Sequence, residues 1–298
     1  HRDMFPEAVR AVRELKPKAF IFENVKGLLR KSFSTYFNYI LLQLTYPDIV
    51  RKDNETWVEH LGHLEKLHTS GHYNGTKYNV VPRLLNAADY GVPQIRHRVV
   101  IVGFREDLGV EWSFPDGEYS REALLYSKFV TGEYWDIHKI ATKHRSAPPQ
   151  ADLKKAEQFA SKYAGYKDKP RPWKTVRDAI FDLPDPRSNA AIGVPNHEFR
   201  PGARSYTGHT GSILDEPSKT IKAGSHGVPG GENSVVLDDG SVRYYTVRES
   251  ARIQTFPDDY LFFGSWTESM RQIGNAVPVK LAQMVGASIV KELQRSEK

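Results

Sequence analysis

Two short apolar runs constrain the fold of this chain more than any other feature. Residues 19–22 form the first run, and they follow a segment, residues 5–15, in which apolar side chains recur at helical spacing. Residues 99–102 form the second run. Runs of this length are typical of strands buried on both faces of a parallel sheet. Because the first run ends in Glu23-Asn24, the pattern predicts an α/β protein whose ligands bind beyond the carboxyl ends of its strands.

The chain divides into three regions that differ in residue composition and in helix and strand patterns. Residues 1–105 carry the helix and strand patterns described above. Between residues 106 and 242, proline, glycine and aromatic residues are scattered and turn signals recur, which predicts an inserted, loop-rich module. Residues 243–298 return to regular structure, and their last part, from about residue 279 to residue 293, predicts an amphipathic helix.

Composition excludes several classes of protein and site. The 298 residues contain no cysteine, which excludes a disulfide framework, a zinc-thiolate site and a cysteine nucleophile within this chain. No stretch approaches the roughly 20 apolar residues of a membrane span, so no membrane-embedded protein is predicted. Four histidines between residues 60 and 72 have spacings that a metal site could use. Without cysteines or a supporting carboxylate pattern, a solvated helix and loop is favoured, and no metal site is predicted.

The formal net charge is positive. Lysine and arginine number 42 against 36 aspartate and glutamate residues, which gives +6. Such an excess suits a polyanionic partner such as nucleic acid, but many ordinary globular proteins carry it too.

Glu23 and Asn24 are the first candidate site. A carboxylate at the end of a buried strand is partly desolvated, which favours its neutral form, and a neutral carboxyl can donate a proton to a ring nitrogen. The alternative is a carboxylate that caps the next helix, at Lys26-Gly27. The residues alone leave both interpretations open.

Arg96 and Arg98 are the second candidate site. Alternation along an extended strand predicts that both side chains lie on the same face. Two guanidinium groups placed in this way can clamp a phosphate and hydrogen-bond to a base oxygen, using a planar geometry that lysine lacks. Pairing of both arginines with surface carboxylates is the alternative.

The C-terminal segment contains the third candidate site. Arg248, Glu249 and Arg252 have helical spacing, which favours an internal ion-pair network over a role in binding. Gly274-Asn275 precedes the last apolar helix, where a glycine allows backbone amides and an amide side chain to approach a ligand closely.

Taken in order, these segments resemble the DNA (cytosine-5)-methyltransferases, from the fifth of the family's ordered motifs to the tenth. The resemblance covers nearly the whole chain, and the region between motifs VIII and IX is where the family keeps its variable target-recognition domain. The matching segments are residues 2–5 (motif V), 22–25 (motif VI), 86–98 (motifs VII and VIII), 243–258 (motif IX) and 271–278 (motif X).

The resemblance implies an α/β fold: a Rossmann-like methyltransferase sheet, incomplete in this chain, with an inserted, loop-rich target-recognition domain. Residues 1–105 would form the second half of the catalytic domain, residues 106–242 the target-recognition domain, and residues 243–298 a segment that returns to the catalytic domain. The implied activity is transfer of a methyl group from S-adenosylmethionine to C5 of a cytosine flipped out of a specific duplex sequence. A bacterial restriction-modification system and a cytoplasmic, nucleoid-associated location fit this activity.

The resemblance also implies a role for each candidate residue. Glu23 would protonate or hydrogen-bond to N3 of the cytosine, which makes C6 electrophilic enough for a thiolate to add, and Asn24 would help to position Glu23. Arg98 would hold the base oxygen and guide the thiolate, with Arg96 nearer the phosphate.

Residues of the later motifs would bind the cofactor and the DNA. Asn275, Ala276 and Val277 would form one edge of the S-adenosylmethionine pocket, and the Thr220 hydroxyl would bind a phosphate beside the flipped base. Six further residues on glycine-rich loops around Thr220 are candidates for reading base edges, with contact to phosphate or solvent as the alternative. These are Arg204, Tyr206, His209, Lys222, Ser225 and His226.

The chain departs from the family pattern in two respects. It has no Pro-Cys-Gln element and no glycine-rich cofactor turn, which belong to motifs I–IV. We therefore expect an N-terminal segment or a partner chain to carry those motifs, and the isolated chain to bind duplex DNA weakly without turnover. A catalytically dead DNA-binding relic or one subunit of a split enzyme are alternatives. An RNA cytosine methyltransferase is disfavoured by the long insert, which suits duplex readout.

Overall fold

The computed structural model describes residues 4–207, 210–223 and 233–296. Three of the predicted DNA contacts, His209, Ser225 and His226, lie outside these residues. The chain forms two compact units. Residues 1–85, 97–115 and 285–298 belong to the first unit, and residues 86–96 and 116–284 belong to the second.

The first unit combines helices with a three-stranded sheet, in which His97–Arg105 is the central strand between Ala19–Val25 and Tyr78–Asn86. Pro6 lies in the first turn of its first helix, and Lys16 ends that helix in the left-handed conformation. The core forms where Val9 and Val12 of this helix pack against strand and helix residues such as Phe20 and Ile40. The elements are α1 (Phe5–Leu15), β1 (Ala19–Val25), α2 (Ser34–Thr45), α3 (Trp57–Ser70), β2 (Tyr78–Asn86) and β3 (His97–Arg105).

Two expectations about this sheet are wrong. β1 pairs with β3 in the antiparallel direction, with Val25 opposite Arg98, whereas a parallel sheet was predicted. β1 is also an edge strand of the described sheet and is not buried on both faces, since Ile21 is 47% exposed and Val25 is 55% exposed. A four-residue apolar run contains no information on strand direction, and it does not distinguish a buried strand from a half-buried one.

The second unit is more regular than the predicted loop-rich module. It contains several helices and five short strands, which form a two-stranded and a three-stranded sheet. Tyr119–Ser120 is parallel to Arg171–Pro172, and Ser212–Ile213 is parallel to Ser234–Val236, which is antiparallel to Val242–Tyr244. The elements are β4 (Tyr119–Ser120), α4 (Arg121–Phe129), α5 (Glu133–Ile137), α6 (Gln150–Lys162), β5 (Arg171–Pro172), α7 (Val176–Ile180), β6 (Ser212–Ile213), β7 (Ser234–Val236), β8 (Val242–Tyr244), α8 (Val247–Ile253) and α9 (Trp266–Asn275); α10 (Val279–Ser296) follows.

The compact units divide the chain at different positions from the predicted domains. Ile221 and Val235 pack in one apolar cluster with Val247 and Ile273, so the cluster crosses the predicted boundary between residues 242 and 243. The boundaries at 105/106 and 242/243 remain predictions of where the catalytic and target-recognition regions meet.

One segment, Trp266–Ser296, has the length and apolar composition of a membrane span, and a third of its most apolar window is buried. Its backbone is extended at Ala276, between α9 and α10, so the segment consists of two helices. Core helices of water-soluble proteins share this length and composition, and the segment is therefore weak evidence for a membrane span.

Candidate active site

Glu23 and Arg98 form an ion pair in the first unit. The β1–β3 register places Val25 opposite Arg98, so Glu23 is the diagonal neighbour of Arg98 on the same face of the sheet. The Nε of Arg98 lies 2.5 Å from Oε1 of Glu23, and the side chains are 12% and 28% exposed, respectively. The structure thus brings together the two residues for which the sequence predicted contacts with the base.

The charges of this pair affect the predicted chemistry. Burial lowers the pKa of the Arg98 guanidinium, and the adjacent Glu23 carboxylate opposes this shift. The Glu23 carboxylate is paired with the Arg98 guanidinium. Glu23 can donate a proton to a ligand only if a contact with that ligand replaces this ion pair. Asn24 has a local role, since its Oδ1 accepts a hydrogen bond from the Val25 N–H at 2.8 Å.

A cavity of about 520 Å³ borders Glu23 and Asn24. This volume lies within the range of roughly 300–1,000 Å³ that small-molecule sites occupy. Apart from those two residues its walls are mostly apolar, and they are formed by Met4, Phe5, Ala8, Phe22, Leu28, Phe33 and Tyr36.

Arg96 differs from its prediction. It lies before the first residue of β3 and belongs to the second unit, where its side chain is completely buried. Its guanidinium donates to three backbone carbonyl oxygens: Ile221 at 3.0 Å, Gly274 at 2.6 Å and Ala276 at 3.1 Å. A guanidinium enclosed in this way cannot reach a phosphate, so the structure gives Arg96 a structural role and corrects the expectation of two arginines on one strand face.

Two buried glutamines extend the contacts around Arg96. The Nε2 of Gln94 donates to Oε1 of Gln254 at 3.0 Å, and Oε1 of Gln94 accepts from the Ile221 N–H at 3.0 Å. Gln254 donates in turn to the carbonyl oxygens of Ile273 at 2.7 Å and Ala276 at 3.2 Å. We call Gln94, Arg96 and Gln254 the buried clamp, because they join the segment around Ile221 to the segment 273–276.

The Thr220 hydroxyl lies beside this clamp. Its Oγ1 donates to the carbonyl oxygen of Ile95 at 2.8 Å, and the Ile95 N–H donates to the carbonyl oxygen of Ser218 at 2.9 Å. Because a hydroxyl has one hydrogen to donate, Thr220 must exchange this contact in order to donate to a phosphate.

Gly274 is required by close backbone packing. A Cβ at this position would lie 2.3 Å from the Ala223 nitrogen and 2.6 Å from the Lys222 carbonyl carbon. The sequence predicted a glycine that allows close approach, and the structure shows that the approaching group is the backbone at 222–223. Of the adjacent residues, Asn275 is exposed and Val277 is half-buried, while the Ala276 carbonyl already accepts from the buried clamp.

Comparisons with known proteins identify the family at this point. The sequence profile described as C-5 cytosine-specific DNA methylase matches residues 1–46 and 47–291. The chain belongs to this family. It is thereby assigned to the DNA (cytosine-5)-methyltransferase enzymes.

Three relatives are named Type II methyltransferases. M.MthTI of Methanothermobacter thermautotrophicus is 30% identical over 96% of this chain and 70% of its own length. M.SacI of Streptomyces achromogenes is 31% identical over 97% of this chain and 64% of its own length. M.NgoMIV of Neisseria gonorrhoeae is 29% identical over 99% of this chain and 71% of its own length. The chain therefore spans about two thirds of the relatives that it matches.

A solved structure supports the fold. The chain resembles a crystal structure described as a DNA modification methyltransferase encoded within an Escherichia coli prophage, with a TM-score of 0.51 and 18% identity, over 97% of this chain and 73% of that chain. The predicted α/β class, a Rossmann-like methyltransferase fold, is confirmed.

The motif IX segment of this methylase contains arginine–carboxylate pairs, but Arg248, Glu249 and Arg252 do not pair with one another, whereas their helical spacing had predicted such pairing. Arg252 contacts Asp182 and Asp258, each at 2.6 Å. Glu249 does not pair with its helical neighbours, however, but with Arg243 through two contacts of 2.6 and 2.7 Å. Arg248 is buried and donates to backbone carbonyl oxygens, among them that of Tyr260 at 3.1 Å.

The histidines of α3 have protein partners. The Nδ1 of His60 lies 2.8 Å from the Tyr39 hydroxyl, and the Nδ1 of His68 lies 2.9 Å from the Tyr46 hydroxyl. Within residues 4–207, 210–223 and 233–296, no group of three or more His, Asp or Glu side chains could hold a metal ion.

Three of the predicted DNA contacts that the structure describes are accessible, and the fourth, Thr220, is half-buried. Arg204, Tyr206 and Lys222 are exposed. The backbone of Lys222 exchanges two hydrogen bonds of 3.0 Å with the side chain of Asn233. Neither Gln94 nor Gln254 was predicted to be a site residue, although both lie within the segments that resemble motifs VIII and IX, because an uncharged amide gives no signal of burial.

Proposed function

We propose that this chain acts in methyl transfer to C5 of a cytosine in duplex DNA, within a restriction-modification system and in the cytoplasm beside the DNA. The observation that carries the proposal is the Glu23–Arg98 pair next to the cavity. The Type II names of the relatives support the restriction-modification setting.

In this proposal, a flipped cytosine replaces the contact between Glu23 and Arg98. Glu23 hydrogen-bonds to N3 and delivers a proton there, while Arg98 keeps its charge and donates to the base oxygen. Withdrawal of electrons through N3 makes C6 receptive to a thiolate, and the addition at C6 makes C5 nucleophilic enough to take a methyl group. Loss of the proton from C5 then breaks the C6–S bond, which expels the thiolate and restores the cytosine ring. Asn24 keeps the Glu23 backbone in place through its hydrogen bond to Val25.

The thiolate must come from outside these 298 residues, because they contain no cysteine. We infer that a segment carrying motifs I–IV supplies it, from the same polypeptide or from a partner chain. The edge strand β1, with exposed Ile21 and Val25, supports this inference, because an edge strand can accept another strand. Met4 and Phe33, which line the cavity, are also 67% and 46% exposed.

S-adenosylmethionine would supply the methyl group. Asn275 offers an exposed amide and Val277 a half-buried apolar side chain, which fit one edge of a nucleoside ligand. Ala276 would shape this edge through its backbone, since the buried clamp occupies its carbonyl oxygen. The remaining contacts would come from motif I, which this chain lacks.

DNA would be bound by residues of the second unit. Thr220 would contact a phosphate after releasing the Ile95 carbonyl, and Arg204, Tyr206 and Lys222 would approach base edges or phosphates. His209, Ser225 and His226 stay predicted contacts. Exchanging residues 106–242 for those of a relative should change the preferred sequence, because they include the predicted recognition loops.

The test is transfer of a labelled methyl group to duplex DNA by the full-length gene product that contains these residues. Glu23→Gln should lower turnover by roughly 100-fold or more, because a general acid contributes that much, while DNA affinity changes little. The 298-residue chain alone should transfer no methyl group. Near-normal turnover of Glu23→Gln would reject the role of Glu23, and transfer by the isolated chain would reject the thiolate mechanism.

The absence of cysteine also favours a second candidate, a DNA-binding relic without catalytic activity. The same assay separates the two. A full-length product that binds DNA specifically but transfers no methyl group would support the relic, and transfer to RNA in preference to DNA would reject both.

A further inference from the structure

A cluster of basic and aromatic side chains in the second unit has no role in the function described so far. The guanidinium of Arg200 lies over the ring of Trp266, with its Cζ 4.6 Å from the ring centroid. Arg200 is exposed, and Trp266 is the first residue of α9. This contact is a cation–π interaction, which restrains a long side chain that would otherwise be free to rotate.

Two further contacts hold the Trp266 ring. Its Nε1 donates to the carbonyl oxygen of Tyr245 at 3.2 Å, and its centroid lies 5.4 Å from that of Tyr244. We call Arg200, Trp266 and Tyr244 the arginine platform. Because the indole is fixed at both its polar and its apolar side, Arg200 is presented to solvent in a restricted orientation.

The platform is positively charged. Burial raises the pKa of Tyr244, and the positive charges of Arg200 and Arg204 oppose this shift. In the described part of the chain, neither arginine has a carboxylate within ion-pair distance. Other exposed arginines of this unit are neutralised, as Arg187 is by Asp185 at 2.7 Å.

Three hydrogen bonds connect the platform to the Thr220 segment. The Lys222 N–H donates to the Asn233 side chain at 3.0 Å, and the Asn233 carbonyl oxygen accepts from the Tyr245 N–H at 3.0 Å. The Tyr245 carbonyl oxygen then accepts from Trp266. A continuous chain of three hydrogen bonds therefore joins Lys222, two residues after Thr220, to the indole beneath Arg200.

We propose that Arg200, held on Trp266, binds a DNA backbone phosphate close to the one contacted by Thr220; this inference rests on the proposed function in taking duplex DNA as the substrate. A guanidinium whose face is stacked on an indole leaves its N–H edge free for two parallel hydrogen bonds to phosphate oxygens. Contacts of this kind set the register of a protein on DNA without reading its sequence. Trp266 is a positioning residue in this arrangement.

The experiment measures the affinity of the 298-residue chain for a fluorescent 20-base-pair duplex at several salt concentrations. Arg200→Gln should reduce the slope of log affinity against log salt by about 1 and weaken binding roughly five- to tenfold at 0.1 M salt, equally for specific and unrelated sequences. Arg200→Lys should keep the slope, because it keeps the charge. Trp266→Leu should weaken binding, and Trp266→Phe should restore much of it.

Arg171→Gln is the matched control. Arg171 also lies over an aromatic ring, that of Tyr119 at 5.8 Å, but it has a carboxylate neighbour, Glu118 at 3.8 Å. This substitution should leave the salt slope unchanged. If the wild-type chain binds DNA and Arg200→Gln has the wild-type slope, the inference about Arg200 is overturned while the proposed function stands. If the wild-type chain does not bind DNA at any salt concentration, the DNA-binding part of the proposed function fails, and this inference fails with it.

Discussion

Two arginines separated by one residue have opposite kinds of partner in the two compact units. Arg98, in the first unit, faces a carboxylate that is partly open to solvent, 2.5 Å away. Arg96, in the second unit, has no solvent exposure and donates to three backbone carbonyl oxygens. The members of an ion pair beside a cavity can exchange their contact for one with a ligand. A guanidinium enclosed by carbonyl groups cannot do so, because those buried carbonyl oxygens would lose their hydrogen-bond donor. The Glu23–Arg98 pair therefore suits a catalytic role, and the buried Arg96 suits a structural role.

Arg96→Met should produce the largest loss of stability. The substitution leaves three buried carbonyl oxygens without their charged donor, and we expect the free energy of unfolding to fall by about 3–5 kcal/mol. Urea unfolding followed by circular dichroism measures this. A loss below about 1 kcal/mol would show that Arg96 is not the centre of the buried clamp.

Gly274→Ala tests the close packing beside the clamp. The added Cβ would meet backbone atoms 2.3 and 2.6 Å away, so residues 222–223 must move, and we expect a loss of about 3 kcal/mol. Gly62→Ala in α3 is the control, because nothing lies within 4 Å of its Cβ position. This control should stabilise the chain by about 0.5–1 kcal/mol. Equal effects at both glycines would contradict the packing argument.

Asp178, in the second unit, has a carboxylate whose ionised form is stabilised by its neighbours. Burial raises its pKa, but the contact with His138 at 3.4 Å, the hydrogen bonds from the Thr175 N–H and hydroxyl and the charge of Lys174 outweigh burial and lower the pKa to about 2 from the usual 3.8. Its stabilising contribution is therefore present above about pH 4 and is lost as the pH falls through 2.

The measurement for Asp178 is the difference in unfolding free energy between wild type and Asp178→Asn. We expect this difference to shrink by roughly 2 kcal/mol between pH 5 and pH 2, as a shift of this size implies. A difference that stays constant with pH would mean that the carboxylate is not specifically stabilised in the folded state.

Arg98→Met should have the smallest effect on stability, which makes it the sharpest test of the comparison with Arg96. Glu23, left without its partner, keeps access to water, so we expect a loss of about 1 kcal/mol or less. The same substitution in the full-length gene product should strongly impair methyl transfer. Losses of similar size for Arg98→Met and Arg96→Met would remove the proposed difference between the two sites.

Much of the first unit could be predicted from local sequence. The helix at 5–15 and the strands that contain residues 19–22 and 99–102 follow from apolar spacing, and the structure confirms them. Within 106–242, helices such as α4 and α7 were not predicted. Their apolar faces are narrow and lie among proline and glycine residues, so that tertiary packing, and not periodicity, stabilises them.

The ordered motifs of the sequence determined the family and the candidate chemical groups, because residue identity and order along a chain do not depend on folding. Only the tertiary structure decided which groups meet. Strand pairing placed Glu23 beside Arg98, and distant backbone carbonyls enclosed Arg96. The difference between these neighbouring arginines depends on segments more than 120 residues away, and the energetics of burial and hydrogen bonding act only after those segments have come together.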